Sequence, residues 1–178
     1  MTGNPNYRKE TDLSMRAFKR SIDALAPVLD DADIHASFEP HPGDFLENHK
    51  SAVDMIRDIG HPRVGYLFCM PHSFVMGTET APEMIAYAGE SITHTHIADT
   101  HRPCRIIAPP EVGAHEHLLP GWGEVDFPAI LDALRKVAYD GFVSAPLFSH
   151  ADKDPQVALN AAIEMKRYAS EMLGISLT

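Results

Sequence analysis

Apolar positions along the chain switch between two periods, one helical and one extended, in a repeating order. From Thr11 the helical period comes first, with Phe18, Ile22, Leu25 and Leu29 at spacings of three and four until Asp30, Asp31 and Asp33 turn the chain. Residues 34–38 read as a short strand ending in Glu39-Pro40-His41-Pro42-Gly43-Asp44. A second helix covers residues 46–59, with Val53, Ile56 and Ile59 inward and Gly60 as its C-terminal cap. Residues 64–68 are almost wholly apolar, the pattern of a parallel strand covered on both faces, and lead into Cys69-Met70-Pro71-His72. Thr80-Ala81-Pro82-Glu83 is a capping box opening a short helix that closes at Gly89.

Residues 92–99 alternate as a strand that places Ile92, His94, His96 and Ala98 on one face. The loop 100–125 is too long for a simple connector, and loops of that length are usually functional. Asp126 caps a helix whose inward stripe is Phe127, Ile130, Leu131, Leu134 and Val137. Residues 142–148 form another strand, and Asp154-Pro155 opens a last helix lined by Ala158, Ala162, Met165, Ala169 and Met172. Residues 1–10 read as a loop. One helix followed by four strand–helix units predicts an α/β domain built on parallel strands with outer helices. At 178 residues a single domain is expected over the whole chain.

In such folds chemistry gathers where strands end and helices begin. Three of the four strand ends carry reactive groups: Glu39 with His41, Cys69 with His72, and His96 with Asp99, His101 and Arg102. The fourth, at Ala145-Pro146, carries none. Each alone is equally readable as a polar turn or a solvated edge. His94, His96, His101, His115 and His117 fall close together, which hints at metal or proton chemistry. His35, His49, His61 and His150 are expected at the surface, and Cys69 is expected to be a small buried residue before a ligand.

The formal net charge of −10 argues against a nucleic-acid partner, which needs a clustered basic face. Two cysteines make no disulfide framework, and no stretch resembles a signal peptide or a membrane span, so a cytoplasmic setting is expected.

Five stretches resemble the sugar phosphate isomerase/epimerase superfamily, the xylose-isomerase-like (β/α)8 barrels. They are Phe38-Glu-Pro-His-Pro-Gly-Asp-Phe45, Val64-Gly-Tyr-Leu-Phe-Cys-Met-Pro-His72, Thr93-His-Thr-His-Ile-Ala-Asp-Thr-His-Arg102, Pro120-Gly-Trp-Gly-Glu-Val-Asp-Phe127 and Tyr139-Asp-Gly-Phe-Val-Ser144. Gly3-Asn-Pro-Asn6, Pro71-His-Ser-Phe74, Ile97-Ala-Asp-Thr100 and Pro109-Pro110 leading to His115-Glu-His117 point further to the proteins of myo-inositol catabolism. The resemblance implies a divalent cation (manganese, magnesium, cobalt or zinc) held by Glu, Asp, His and Glu from separate strand ends. It also implies metal-assisted isomerisation, epimerisation or dehydration of a sugar or inositol-derived substrate.

Glu39 matches the first ligand and a catalytic base, and His96 matches the third ligand. Cys69 stands where the family has Asp, and Pro146 stands where it has the last Glu. Thiolate favours softer metals such as zinc. His41, His72, Asp99, Arg102, His117 and Trp122 are the residues expected to bind substrate. With Pro146 in a ligand position, the alternative is a catalytically degenerate sugar- or polyol-binding protein on the same fold. An endonuclease from the same superfamily is disfavoured by the acidic charge.

Four strand–helix units make the C-terminal half of a (β/α)8 barrel, which usually takes about 250 residues. Half a barrel leaves two open strand edges, and such edges invite pairing. Either a truncated gene product or a homo-oligomer in which a second copy or partner fragment completes the sheet is expected.

Overall fold

The computed structural model describes residues 11–41, 44–76, 79–102, 116–146 and 154–173. In order, the elements are α1 (Thr11–Ala32), β1 (Ala36–Phe38), α2 (His49–Ile59), β2 (Val64–Cys69), α3 (Met70–Met76), α4 (Ala81–Ala88), β3 (Ile92–His96), α5 (Phe127–Lys136), β4 (Phe142–Ser144) and α6 (Pro155–Leu173). The four strands form one sheet in the order β1-β2-β3-β4, every pair parallel. This is the parallel sheet expected from the alternation of periods, and four such units are what the family resemblance implies for half a barrel. Residues 1–10, Cys104, Pro109-Pro110, His115 and residues 147–150 lie outside the described residues, so readings that fall on them stand as expectations.

Local chemistry accounts for the element ends. Asn48 caps α2, its side chain accepting the Ser51 amide at 2.9 Å, so that helix starts at His49 and not at Leu46. Gly60 closes α2 with φ +63°, returning its N–H to the Ile56 carbonyl. The Thr80/Glu83 capping box opens α4, and Asp126 caps α5. The sequence pattern missed α3, which starts directly after β2 and brings His72 back over the strand end.

Tyr66, Phe68 and Ile92 form the sheet side of the core, packed beneath Val53 and Ile56 of α2, Met84 and Ile85 of α4, and the Phe127, Ile130, Leu131 and Leu134 stripe of α5. Two expected stripes are revised. Leu25 of α1 is 49 % exposed while Ile22 is buried, and Phe18 of α1 meets Phe38 of β1 edge-on at 4.6 Å. In α6 burial falls on Ala161 and Met165, with Tyr168 and Ala169 packed against the core, and Ala162 is exposed.

The face of β3 also differs from simple alternation. Ile92 lies opposite Tyr66 but His94 lies opposite Leu67, so Thr93 is an extra residue, a bulge. Ile92 therefore joins the core under the helices, while His94 and His96 stand on the other face with Cys69. On that face Gly65 has no side chain, which lets Ser37 Oγ reach Thr93 Oγ1 at 2.8 Å across β2. A Cβ at Gly65 would sit 2.0 Å from Thr93 Oγ1. No helix of the described residues is long and apolar enough to cross a membrane.

Candidate functional site

Glu39 leaves the end of β1, His96 is the last residue of β3, and His72 sits in the first turn of α3 after β2. Parallel strands of matched register bring all three to one end of the sheet. Glu39 Oε1 lies 3.1 Å from His72 Nδ1 and 3.2 Å from His96 Nδ1. His72 is enclosed, with 4 % of its side chain exposed, whereas Glu39 retains 26 % and His96 18 %, so the carboxylate and the His96 ring are the parts of the cluster open to a small molecule.

Cys69 ends β2 between these groups and is fully buried. Its Sγ lies 3.8 Å from His117 Nε2, and the His117 ring meets that of His72 edge-on at 5.4 Å. The His41 ring packs against His72 at 4.8 Å, and the His94 ring against His96 at 5.5 Å. Glu39, Cys69 and His96 each offer a ligand atom within 4.8 Å of the other two, and so do Cys69, His72 and His117.

Charge follows from this packing. Burial alone would raise the Glu39 carboxyl, but hydrogen bonds from His72 and His96 override it and hold the group well below the usual carboxylate range. Burial pushes the Cys69 thiol far up, with the Glu39 charge adding to the effect. Burial beside His96 lowers His94. The resting cluster is an ionised carboxylate beside a protonated thiol, a combination that a cation would convert to thiolate.

The strand-end residues come together and His117 of the long loop joins them; Asp99, Arg102 and Trp122 do not. Asp99 is 1 % exposed and its carboxylate takes the backbone amides of Gly121, Gly123 and Val125 at 2.9, 2.9 and 3.0 Å. It holds the Pro120–Val125 loop, so neither His101 nor Arg102 is its partner. Glu116, which the sequence pattern missed, pairs with His101, 2.8 Å from Nδ1. Arg102 lies over the Phe74 ring at 4.5 Å and bonds the Phe74 carbonyl and, through its amide, Glu124. There it borders a separate pocket of about 430 Å³ between α4 and α5, lined also by Thr80, Pro82, Asp126 and Ile130.

Trp122 is 58 % exposed on the loop that Asp99 holds. His117 is buried against Cys69, through an antiparallel bridge of Leu118 to Asp99. His49 also departs from expectation: it is 3 % exposed, paired with the Tyr66 hydroxyl under the sheet. His35 is exposed, and His61 is partly covered beside Asp30.

A model of the xylose isomerase-like TIM barrel matches residues 1–168. The chain belongs to that family. It is 29 % identical over 149 residues to the rhizopine catabolism protein MocC of Rhizobium meliloti, covering 80 % of this chain and 44 % of that protein. It is 28 % identical over 137 residues to the inosose isomerase of Bacillus velezensis, covering 73 % and 46 %. Among solved structures, the zinc-bound IOLI protein superposes with TM-score 0.64 at 23 % identity, covering 89 % of this chain and 57 % of that one. D-allulose 3-epimerase from Methylomonas sp. gives 0.69 at 17 % identity, covering 92 % and 56 %. The chain thus spans about half the length of the curated relatives it matches.

Proposed function

We propose that this member of the xylose isomerase-like family acts on a sugar or inositol-derived substrate by isomerisation, epimerisation or dehydration. The observation that carries this reading is the convergence of the His72 and His96 imidazoles on one oxygen of Glu39 at the open end of the sheet. The inosose isomerase name of one relative and the epimerase structures support the same substrate class.

A divalent cation fits the outer trio of Glu39, Cys69 and His96. Their ligand atoms stand within 4.8 Å of one another, and three protein ligands leave a position open for substrate. Bound there, the cation would polarise substrate oxygens. Glu39 serves as ligand and base. The Nδ1 atoms of His72 and His96 hold one of its oxygens and fix the carboxylate at the strand end. His41, packed on His72, borders the approach for substrate hydroxyls. Arg102 and Trp122 act only on a substrate reaching from Glu39 toward Phe74 and the Pro120–Val125 loop.

Solvent-proton exchange beside the carbonyl of inososes and ketohexoses, followed by NMR in deuterium oxide, tests the reading. Glu39→Gln is expected to slow exchange by about a hundredfold or more. An unchanged rate removes Glu39 from the mechanism. Pro146, which offers no ligand atom two residues beyond β4, favours a second reading as a sugar- or polyol-binding protein; substrate binding without any exchange selects it. A homo-oligomer or partner fragment covering the edges of β1 and β4 completes the assembly in either case, and the free Cys69 thiol suits the reducing cytoplasm.

A further inference from the structure

The end of α3 and the starts of α4 and α5 border a cavity of about 430 Å³ whose lining includes none of Glu39, Cys69, His72 or His96. We propose that this cavity binds a small organic acid, a single carboxylate on an apolar body about the size of one ring. Phe74, Ala81, Pro82, Ala129 and Ile130 supply apolar walls, and Arg102 supplies the one cation on the lining. An apolar cavity of about 150 Å³ already holds a benzene ring, so the space here takes a ring and a short acidic arm.

Arg102 sets the charge of the ligand. Its guanidinium lies over the Phe74 ring at 4.5 Å, and one terminal nitrogen donates to the Phe74 carbonyl. These contacts hold the plane of the group and use only part of its donor set. Glu124 meets the Arg102 backbone amide at 2.8 Å, and no carboxylate among the described residues forms an ion pair with the guanidinium. The acids on the cavity wall have partners of their own: Glu79 pairs with Lys50 at 2.8 Å, and Asp126 accepts the Ala129 amide at 3.1 Å.

The two helix starts add no anion site. Pro82 and Pro128 have no N–H, and the Glu83 and Ala129 amides are taken by their caps Thr80 and Asp126. An anion in the cavity therefore depends on Arg102. A carboxylate matches the planar fork of a guanidinium with a single charge. Phosphate would set a larger charge against Glu79 and Asp126 and leave the Phe74 and Ile130 walls without an apolar partner. A neutral polyol would bury hydroxyls against those same walls, at the cost of their hydrogen bonds to water.

Phe74 lies two residues beyond His72 in α3, so the acid would grip the helix that carries His72 over Glu39. The site uses no group of the Glu39 cluster, and it stands or falls apart from the reaction proposed there.

Titration of the full chain with phenylacetate, followed by amide NMR, tests the site. The amides of Phe74, Ala81, Ala129 and Ile130 are expected to shift saturably. Arg102→Gln is expected to weaken binding by about tenfold or more, since a charge-assisted hydrogen bond is lost. Ala129→Phe places a ring in the cavity with Arg102 intact and should abolish binding, whereas Glu39→Gln leaves it unchanged. Benzyl alcohol and inorganic phosphate should each bind about tenfold more weakly than phenylacetate, or worse. No saturable shift at millimolar phenylacetate overturns the proposal. So does equal binding of either control probe, and so does a response centred on Glu39 and His96 that Glu39→Gln removes.

Discussion

Gly123 approaches Asp99 more closely than any other residue type could. Its amide donates to Asp99 Oδ2 at 2.9 Å, and a Cβ at that position would fall 2.4 Å from Oδ1. The Pro120-Gly-Trp-Gly segment is therefore a cradle for a buried carboxylate. Its anchoring fixes Leu118, and with it the neighbouring His117.

Asp99→Ala should accordingly destabilise the protein by about 3 kcal/mol or more, since three loop amides lose a charged acceptor. The urea midpoint measures the loss. Hydrogen exchange of the Gly121, Gly123 and Val125 amides should accelerate with it, and protection that persists in the variant would show that Asp99 does not hold the loop.

Gly65→Ala tests the bulge in β3. The new methyl group meets Thr93 Oγ1 at 2.0 Å, and overpacking of this kind costs about 1–3 kcal/mol. Adding Thr93→Ala removes the Oγ1 and Cγ2 contacts but leaves Cβ, so the double variant should recover part of the loss. Simple additivity of the two changes, read from thermal denaturation, would contradict the packing of Thr93 over Gly65.

The order of strands and helices was legible because a parallel sheet covered by helices writes long apolar runs such as residues 64–68 beside 3.6-period stripes. The strand-end positions of Glu39, Cys69 and His96 followed from the same order. Besides α3 and Glu116, three things were not legible. The bulge at Thr93 changes which side of β3 Ile92 faces, and nothing in Ile-Thr-His-Thr-His distinguishes a bulged strand from a regular one. Asp99 looked reactive because a carboxylate beside histidines does, whereas its partners, beyond the adjacent Thr100 amide, are backbone amides about 22–26 residues away, to which composition is blind. His49 reads from the sequence as a surface histidine. Its burial depends on Tyr66, whose hydroxyl supplies a partner from the sheet beneath.

Glu39 gives the protein an acid limit of its own. The hydrogen bonds of His72 and His96 hold its folded pKa well below the ordinary carboxylate value of about 4.5, so its contribution to stability is present above about pH 4.5 and is lost as pH falls from there. Glu39→Gln should flatten the stability profile below pH 4.5. A Gln variant that follows the wild-type curve throughout that range would show that the carboxylate is not ionised against the imidazoles.

A second acid response begins at higher pH, and it has the opposite origin. Burial, aided by the His72 charge, pushes His49 down to about 4 in the folded protein, against 6.5 for the free side chain. Between these values the unfolded chain binds a proton that the folded chain refuses, so unfolding is favoured increasingly as pH drops from 6.5 toward 4. The full difference is about 3 kcal/mol at 1.36 kcal/mol for each pH unit. His49→Gln keeps a polar group beside the Tyr66 hydroxyl but has no proton to gain, so its urea midpoint should vary less than wild type across this window. Should the two curves run parallel from pH 6.5 to 4, His49 takes up its proton equally well in both states, and the acid response belongs to the cluster around Glu39 instead.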